Sequence, residues 1–284
     1  MIKIKCFSDF CDSSVCKKEF EFCCNALSLD FYGKEKKIYI TEDDDNDYTH
    51  AVILNKAMPL LNIPKQNVIG LACEPYDFLQ IDQPFIEYAK KNINKYFIGD
   101  KHDLPEPFIE YFGYMWYFRP LKEIKNKNKI MSIVLSNKKF APGHVYRHEL
   151  VKKIIEYRLP IHIYGKGSYE YKKMSSFVKG EFKNSEPYED YLYTIAIENF
   201  RSNHYFSEKI ITPIMFNCSP IYIGCRNIYK YFNDVLLLSG NVTVDIQNLI
   251  VILNNPFKYY KLMNTEQHEK NVNLLKNIEE IYKN

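Results

Sequence analysis

The residues richest in chemistry lie between positions 193 and 224, in the stretch YTIAIENFRSNHYFSEKIITPIMFNCSPIYIG. A crowded polar middle, Glu198 to Lys209, separates two apolar runs. The pattern predicts a strand ending near Glu198–Asn199 and a helix opening at Ser207–Glu208–Lys209. Serine at a helix start caps free backbone N–H groups, and a helix N-terminus attracts anions. Lys209 in the first turn adds a positive charge where a phosphate could lie. Glu208 could accept hydrogen bonds from sugar hydroxyls. Tyr205 could stack or donate to a phosphate oxygen, and Asn199 can both donate and accept. Residue types alone also allow a plainer reading, a capped helix with Glu–Lys on its solvated face.

The elements that must position these groups alternate along the chain. In the first half, IKIKCF, KKIYIT, THAVILN, NVIGLACEP and KYFIG read as strands, and VCKKEFEFCCNAL and QPFIEYAKKN as helices. A polar Lys/Asn-rich segment, RPLKEIKNKNK at 119–129, reads as a linker. The pattern then restarts. IMSIVLSN, IHIYGKGS, YLYTIAIEN, SPIYIG and VLLLS read as strands, the second of them ending in a Gly-rich turn. VYRHELVKKIIEY, FSEKIITPIMFN and a short NIYKYF read as helices, and NTEQHEKNVNLLKNIEEIYKN as one terminal helix. Strands separated by helices predict parallel Rossmann-like sheets.

Composition narrows the classes. With 284 residues, 46% hydrophobic and 26% charged, the chain is globular and long enough for one large or two smaller domains. A net charge of +3 with scattered Lys and Arg implies no strong electrostatic pull toward nucleic acid. No apolar run approaches the length of a membrane span and no leader pattern opens the chain, so the expected setting is soluble and cytoplasmic. The eight cysteines include no Cys-x-x-Cys pair, which leaves free thiols in a reducing compartment as the expectation.

The order of residues adds a resemblance. IENFRSNHYFSEKI followed by PIYIG resembles the donor-binding signature of the α1,3/α1,4-fucosyltransferase family: a strand ending in Glu-Asn, a Tyr, then Thr-Glu-Lys opening a helix before a Pro-led strand. Ser207 stands for the family's Thr and keeps its hydroxyl, and His204 stands for a frequent Asp. Upstream, SIVLSNKKFAPGHVYRHEL resembles the family's strand–Ser–Asn segment and Arg-bearing helix, and IHIYGKGS its strand and Tyr-Gly turn. The likeness is strong from about residue 130 to 232 and weak before it.

The resemblance implies an α/β protein of GT-B type, two facing Rossmann-like domains with a cleft between them. The expected boundaries are 1–122 for the acceptor domain and 123–284 for the nucleotide-sugar domain, with the terminal helix free to return to the first. The implied reaction is inverting transfer of fucose from GDP-fucose to a hydroxyl of an acceptor glycan, with no cofactor and no metal. Arg147, Asn199, Tyr205, Glu208 and Lys209 would bind the donor, with Ser136 and Gly165 beside them; Arg147 and Lys209 would neutralise diphosphate charge. A Glu of the first domain at a strand end is the family's base. Glu74, which follows the apolar run 68–73 and precedes Pro75, has that layout. Asp77, Asp82 and Glu106 are alternatives, and the aromatic run EYFGYMWYF at 110–118 could wall an acceptor cleft or simply pack the core. Absence of the anchor, stem and C-terminal cysteine pattern of animal members points to a bacterial or viral type.

Competing readings remain at this level. Asp43-x-Asp45 follows a strand, where glycosyltransferases of the single-Rossmann architecture hold a metal and a diphosphate. His144 and His148 sit four apart on a predicted helix, half of a metal site. Another nucleotide sugar, or a catalytically silent nucleotide-sugar or glycan-binding protein, would use the same pocket.

Overall fold

The computed structural model describes residues 1–42, 46–124, 126–183 and 185–283; Asp43 and Asp45 lie outside them. The chain forms two compact units. The first comprises Met1–Tyr117, Ser202–Tyr205 and the stretch from Lys270 to the C-terminal end, and the second Phe118–Arg201 and Phe206–Glu269.

In the first unit, β1 (Ile2–Ser8), α1 (Ser13–Cys23), β2 (Ile38–Ile40), β3 (His50–Leu54), β4 (Val68–Leu71), α2 (Tyr76–Leu79), α3 (Gln83–Asn92), β5 (Lys95–Ile98) and β6 (Phe108–Glu110) follow one another. Among the described residues the strands make a six-stranded sheet in the order β2-β1-β3-β4-β5-β6, and each pairing is parallel. The chain leaves β1 toward β2 on one side and toward β3 on the other, so the switch point of this sheet lies between β1 and β3. Helix α1 buries Cys16, Phe20 and Cys23, one stripe at helical spacing, with the cysteines acting as small apolar groups. Burial pushes the Cys6 thiol up to about 12, which makes it inert packing rather than a nucleophile. Gly70 is required in β4 because a Cβ there would lie 1.9 Å from the ring of Tyr96.

In the second unit, β7 (Lys129–Val134), α4 (Pro142–Glu156), β8 (Ile161–Tyr164), β9 (Val178–Gly180), β10 (Tyr191–Ile197), α5 (Glu208–Met215), β11 (Ser219–Ile223), β12 (Leu236–Leu237), α6 (Val242–Asn254) and α7 (Pro256–Tyr259) build a second parallel sheet. Its order among the described residues is β12-β11-β10-β7-β8-β9. The chain runs outward from β7 through β8 and β9, then returns to β10 and runs the other way, so the switch point lies between β7 and β10. β10 is buried at every residue, as a central parallel strand covered on both faces must be. Helix α4 packs Leu150, Val151 and Ile154 against the sheet, each contributing about 1.5–3 kcal/mol on burial. It is tied to the start of α6, where the Tyr146 hydroxyl donates to Asp245 and the same carboxylate accepts from the N–H groups of Ser239 and Gly240.

Two further helices close the chain, α8 (Thr265–Val272) and α9 (Leu274–Tyr282). The single terminal helix expected from sequence is thus broken at Asn273. That side chain accepts from Lys276 N–H to cap α9 and donates to Cys24 O, and such a residue cannot continue one helix. Within the first unit α9 is fastened by Tyr282 Oη to Ala51 O, 2.9 Å, and by Lys95 Nζ to Ile281 O, 3.2 Å. Sequence patterning assigned nothing to α6. Its β-branched run has poor helix propensity, yet Asn241 caps it by accepting from the N–H groups of Thr243 and Val244. NIYKYF holds only a turn of 3₁₀ helix, Ile228–Lys230. The linker segment is pinned, with Lys127 Nζ donating to the carbonyls of Tyr188, Glu189 and Phe216.

Candidate active site

The second unit holds a cavity of about 350 Å³ at its switch point, beyond the carboxyl ends of β7 and β10, where open α/β sheets take their ligands. Five of the residues expected there line it together: Ser136, Arg147, Gly165, Glu208 and Lys209. Lys166 adds another cation at the rim, and Phe182 and Tyr188 supply aromatic walls.

Each polar group is placed by its element. Arg147 projects from α4, is buried, and donates to Ile197 O at the end of β10. Ser136 follows β7, and its buried Oγ has no hydrogen-bond partner among the described residues. Gly165 sits at φ +94°, a left-handed conformation, and a Cβ would lie 2.4 Å from Leu135 O. Glycine therefore lets the turn after β8 close on the end of β7.

The start of α5 is a compact charged cluster. Ser207 caps the helix. Its hydroxyl lies 3.0 and 2.8 Å from the two oxygens of Glu198 and donates to that carboxylate, and its N–H donates to Oε1 at 2.8 Å. Lys209 Nζ donates to Ser207 Oγ at 3.0 Å and pairs with Glu208 at 3.1 Å and Glu198 at 3.5 Å. Burial pushes the Glu198 carboxyl above the usual range, while Lys209 and the Ser207 hydrogen bonds pull it back. For Lys209 burial acts downward, but Glu208 and Glu198 outweigh it, so the ammonium is held charged. For Glu208 burial acts upward, and Lys209 outweighs it to leave the carboxylate ionised.

Sequence reasoning did not single out Glu198. A carboxylate ending the seven-residue apolar strand Tyr191–Ile197 was the available signal, since such a group must find donors or be expelled. Space for it exists because its neighbours are glycines. A Cβ on Gly224 would lie 2.3 Å from Glu198 Cγ, and one on Gly143 1.8 Å from Glu198 O.

The other expected residues have the following surroundings, each within its own unit. Asn199 lines a smaller cavity of about 170 Å³ with Tyr146 and Arg201, and its Oδ1 is buried. His144 accepts from Ala141 N–H through Nδ1 at 3.2 Å, and His148 contacts Tyr171 Oη and Ser136 O, each at 3.0 Å. Both imidazoles are thus engaged in packing, and no cluster of three metal-ligating side chains occurs among the described residues. Tyr205 belongs to the first unit, where its hydroxyl lies 3.2 Å from Glu74 Oε2. Glu74 follows β4 and is half-buried. Of its alternatives, Asp82 caps α3 through Phe85 N–H, and Asp77 and Glu106 are exposed. In the aromatic run Phe112, Tyr114 and Tyr117 are buried, and Trp116 packs on Phe10 and Phe20, so most of it is core. An open polar depression of about 470 Å³ marks the switch point of the first unit, lined by Ser8, Asp9 and Lys56 among others.

Comparison with solved structures places the fold. An α1,3-fucosyltransferase with GDP-fucose matches with a TM-score of 0.55 at 13% identity, over 100% of this chain and 90% of that one. The same enzyme name with GDP matches at 0.53 and 15%, over 99% and 92%. TarM matches at 0.52 and 13%, over 82% of this chain and 55% of that one. The two parallel-sheet units share the GT-B-type fold of these solved structures. Residues 124–236 match the family model described as glycosyltransferase family 10 (fucosyltransferase), C-terminal part. That segment contains most of the cation-lined cavity. A comparison with curated protein sequences found no match. No helix among the described residues is long and apolar enough to cross a membrane.

Proposed function

We propose that the protein transfers fucose from GDP-fucose to a hydroxyl of an acceptor glycan, with inversion at the sugar carbon. The observation that carries this reading is the pairing of Arg147 and Lys209 in one cavity at the switch point of the second unit. Two fixed cations suit a diphosphate: Arg by its forked donors, Lys as a point charge. The aromatic walls Phe182 and Tyr188 suit the face of a guanine base, the unpartnered Ser136 Oγ suits a polar atom of the nucleotide, and Glu208 suits sugar hydroxyls. The solved relatives with GDP and GDP-fucose bound support the choice of nucleotide.

In this mechanism the Glu74 carboxylate takes the proton of the acceptor hydroxyl. That oxygen forms its bond to the anomeric carbon as the bond from this carbon to the β-phosphate oxygen breaks. The electron pair leaves with GDP, whose charge Arg147 and Lys209 stabilise, so a metal ion need not do so. The first unit takes the acceptor and the second the donor.

A thermal-shift screen of nucleotides tests the reading. GDP and GDP-fucose raise the melting temperature, by an amount set by ligand excess over Kd, and UDP-sugars and added chelator leave it unchanged. Stabilisation by UDP-sugars alone, or loss of the GDP response on chelation, refutes it. Chelation also tests the metal-dependent reading that rests on Asp43 and Asp45.

A further inference from the structure

We infer that Tyr205 is a positioning residue for Glu74: its hydroxyl fixes the carboxylate that accepts the acceptor's proton. The inference rests on the proposed role of Glu74. It is carried by the 3.2 Å approach of Tyr205 Oη to Glu74 Oε2 and by the way the protein builds that approach.

Tyr205 lies in sequence between β10 and α5, both in the second unit, yet residues 202–205 are packed into the first. This four-residue loop is clamped there. Asp100, just beyond β5, accepts from Asn203 twice, from N–H at 2.9 Å and from Nδ2 at 2.7 Å. His204 stacks on Tyr111 with ring centroids 6.1 Å apart, and its Nε2 lies 3.9 Å from Glu110. Gly99 brings the two backbones together, since a Cβ there would lie 2.3 Å from Asn203 O and 3.1 Å from Tyr205 N. The Tyr205 ring itself is buried. A side chain whose loop is anchored at three points presents its hydroxyl at a fixed position, which is what orienting a base requires.

Among the titratable groups that act on the neighbouring Cys73 are Glu74 itself, Asp9, Cys11 and Cys6, the last three on and after β1. Burial pushes the Cys73 thiol up, so it stays neutral beside the carboxylate. The Tyr205 O–H is directed at Glu74, and a phenol donating to a carboxylate favours the ionised form.

Tyr205→Phe keeps the ring and removes only the donor. In the variant kcat falls about tenfold because the base is no longer held in line, while KM for GDP-fucose stays within about twofold. The acid limb of kcat/KM moves upward by about one pH unit, since the ionised carboxylate has lost a hydrogen bond. A tenfold rise in donor KM with an unmoved acid limb assigns Tyr205 to the donor and overturns the inference. A second measurement does not depend on turnover. Titration of the Glu74 carboxyl carbon by NMR rises by about one unit in Tyr205→Phe, and an unchanged titration overturns the inference whatever the substrate. Full turnover by Glu74→Gln would instead sink the role of Glu74 as base, and with it the positioning role of Tyr205, leaving the NMR shift to report the contact alone.

Discussion

Lys209 has two tasks that a double substitution separates. Its side chain lines the cavity of the second unit, and its ammonium lies 3.5 Å from Glu198, whose side chain is fully buried. Replacing Lys209 by Ala leaves that carboxylate, among the described residues, with the N–H and O–H of Ser207 as donors. Breaking a buried pair by removing one partner costs about 3–5 kcal/mol. The Lys209 side chain is 25% exposed, so water replaces part of what is lost, and the expected cost is about 2 kcal/mol at neutral pH. For a chain of this length that lowers Tm by about 4 °C. The pH dependence gives the sign. The folded-state value of Glu198 already stands above its ordinary 4.5, and removing Lys209 raises it further. A carboxyl with a raised folded value holds its proton more tightly when folded, so stability is lost as pH rises from the unfolded value toward the folded one. The gap between variant and parent therefore closes below about pH 4.5 and opens toward pH 7, with a slope of at most about 1.4 kcal/mol per pH unit. Urea denaturation across this range reads it. In Glu198→Gln/Lys209→Ala most of the stability returns, because Ser207 can still donate to the amide oxygen, whereas GDP binding by calorimetry stays weak. A loss from Lys209→Ala that is the same with and without Glu198→Gln would refute the pairing, and undiminished GDP binding by the double variant would refute the donor role.

Three further outcomes follow from the same geometry. Arg147→Lys weakens GDP binding about 10–100-fold by calorimetry, because a point charge cannot both donate to Ile197 O and meet a diphosphate as a planar fork does. His144 is buried, and burial first, then the Arg147 charge, holds its value down at about 4 against an ordinary 6.5. The unfolded chain takes that proton first, so stability present at pH 7 is lost as pH falls from about 6.5 toward 4, by up to about 3 kcal/mol; denaturation of His144→Gln, which keeps an acceptor for Ala141 N–H, shows a flatter acid limb. Gly143→Ala puts a methyl 1.8 Å from Glu198 O, which forces α4 from the end of β10. It costs about 3 kcal/mol and lowers Tm by about 6 °C, and parental stability would show that this close approach is not required.

Much of the site was legible because its groups are local. Ser207, Glu208 and Lys209 are consecutive, and a helix start fixes where their side chains point whatever surrounds it. The parallel sheets were legible because a strand buried on both faces writes a continuous apolar run such as Tyr191–Ile197. By itself the sequence thus determined two alternations of strand and helix and the capped, charged opening of α5. It did not determine α6, whose β-branched residues disfavour a helix until packing against α4 and the sheet outweighs propensity. Nor did it reveal the burial of Glu198 or the meeting of Tyr205 with Glu74, 131 positions earlier in the chain. Those depend on the strand order, which brings the ends of β7 and β10 together, and on the clamp that seats residues 202–205 against Gly99 and Asp100. Local pattern reports the free energy of a segment in water. The state of a buried carboxylate is set by whichever distant donors the fold delivers to it, and only the tertiary structure decides those.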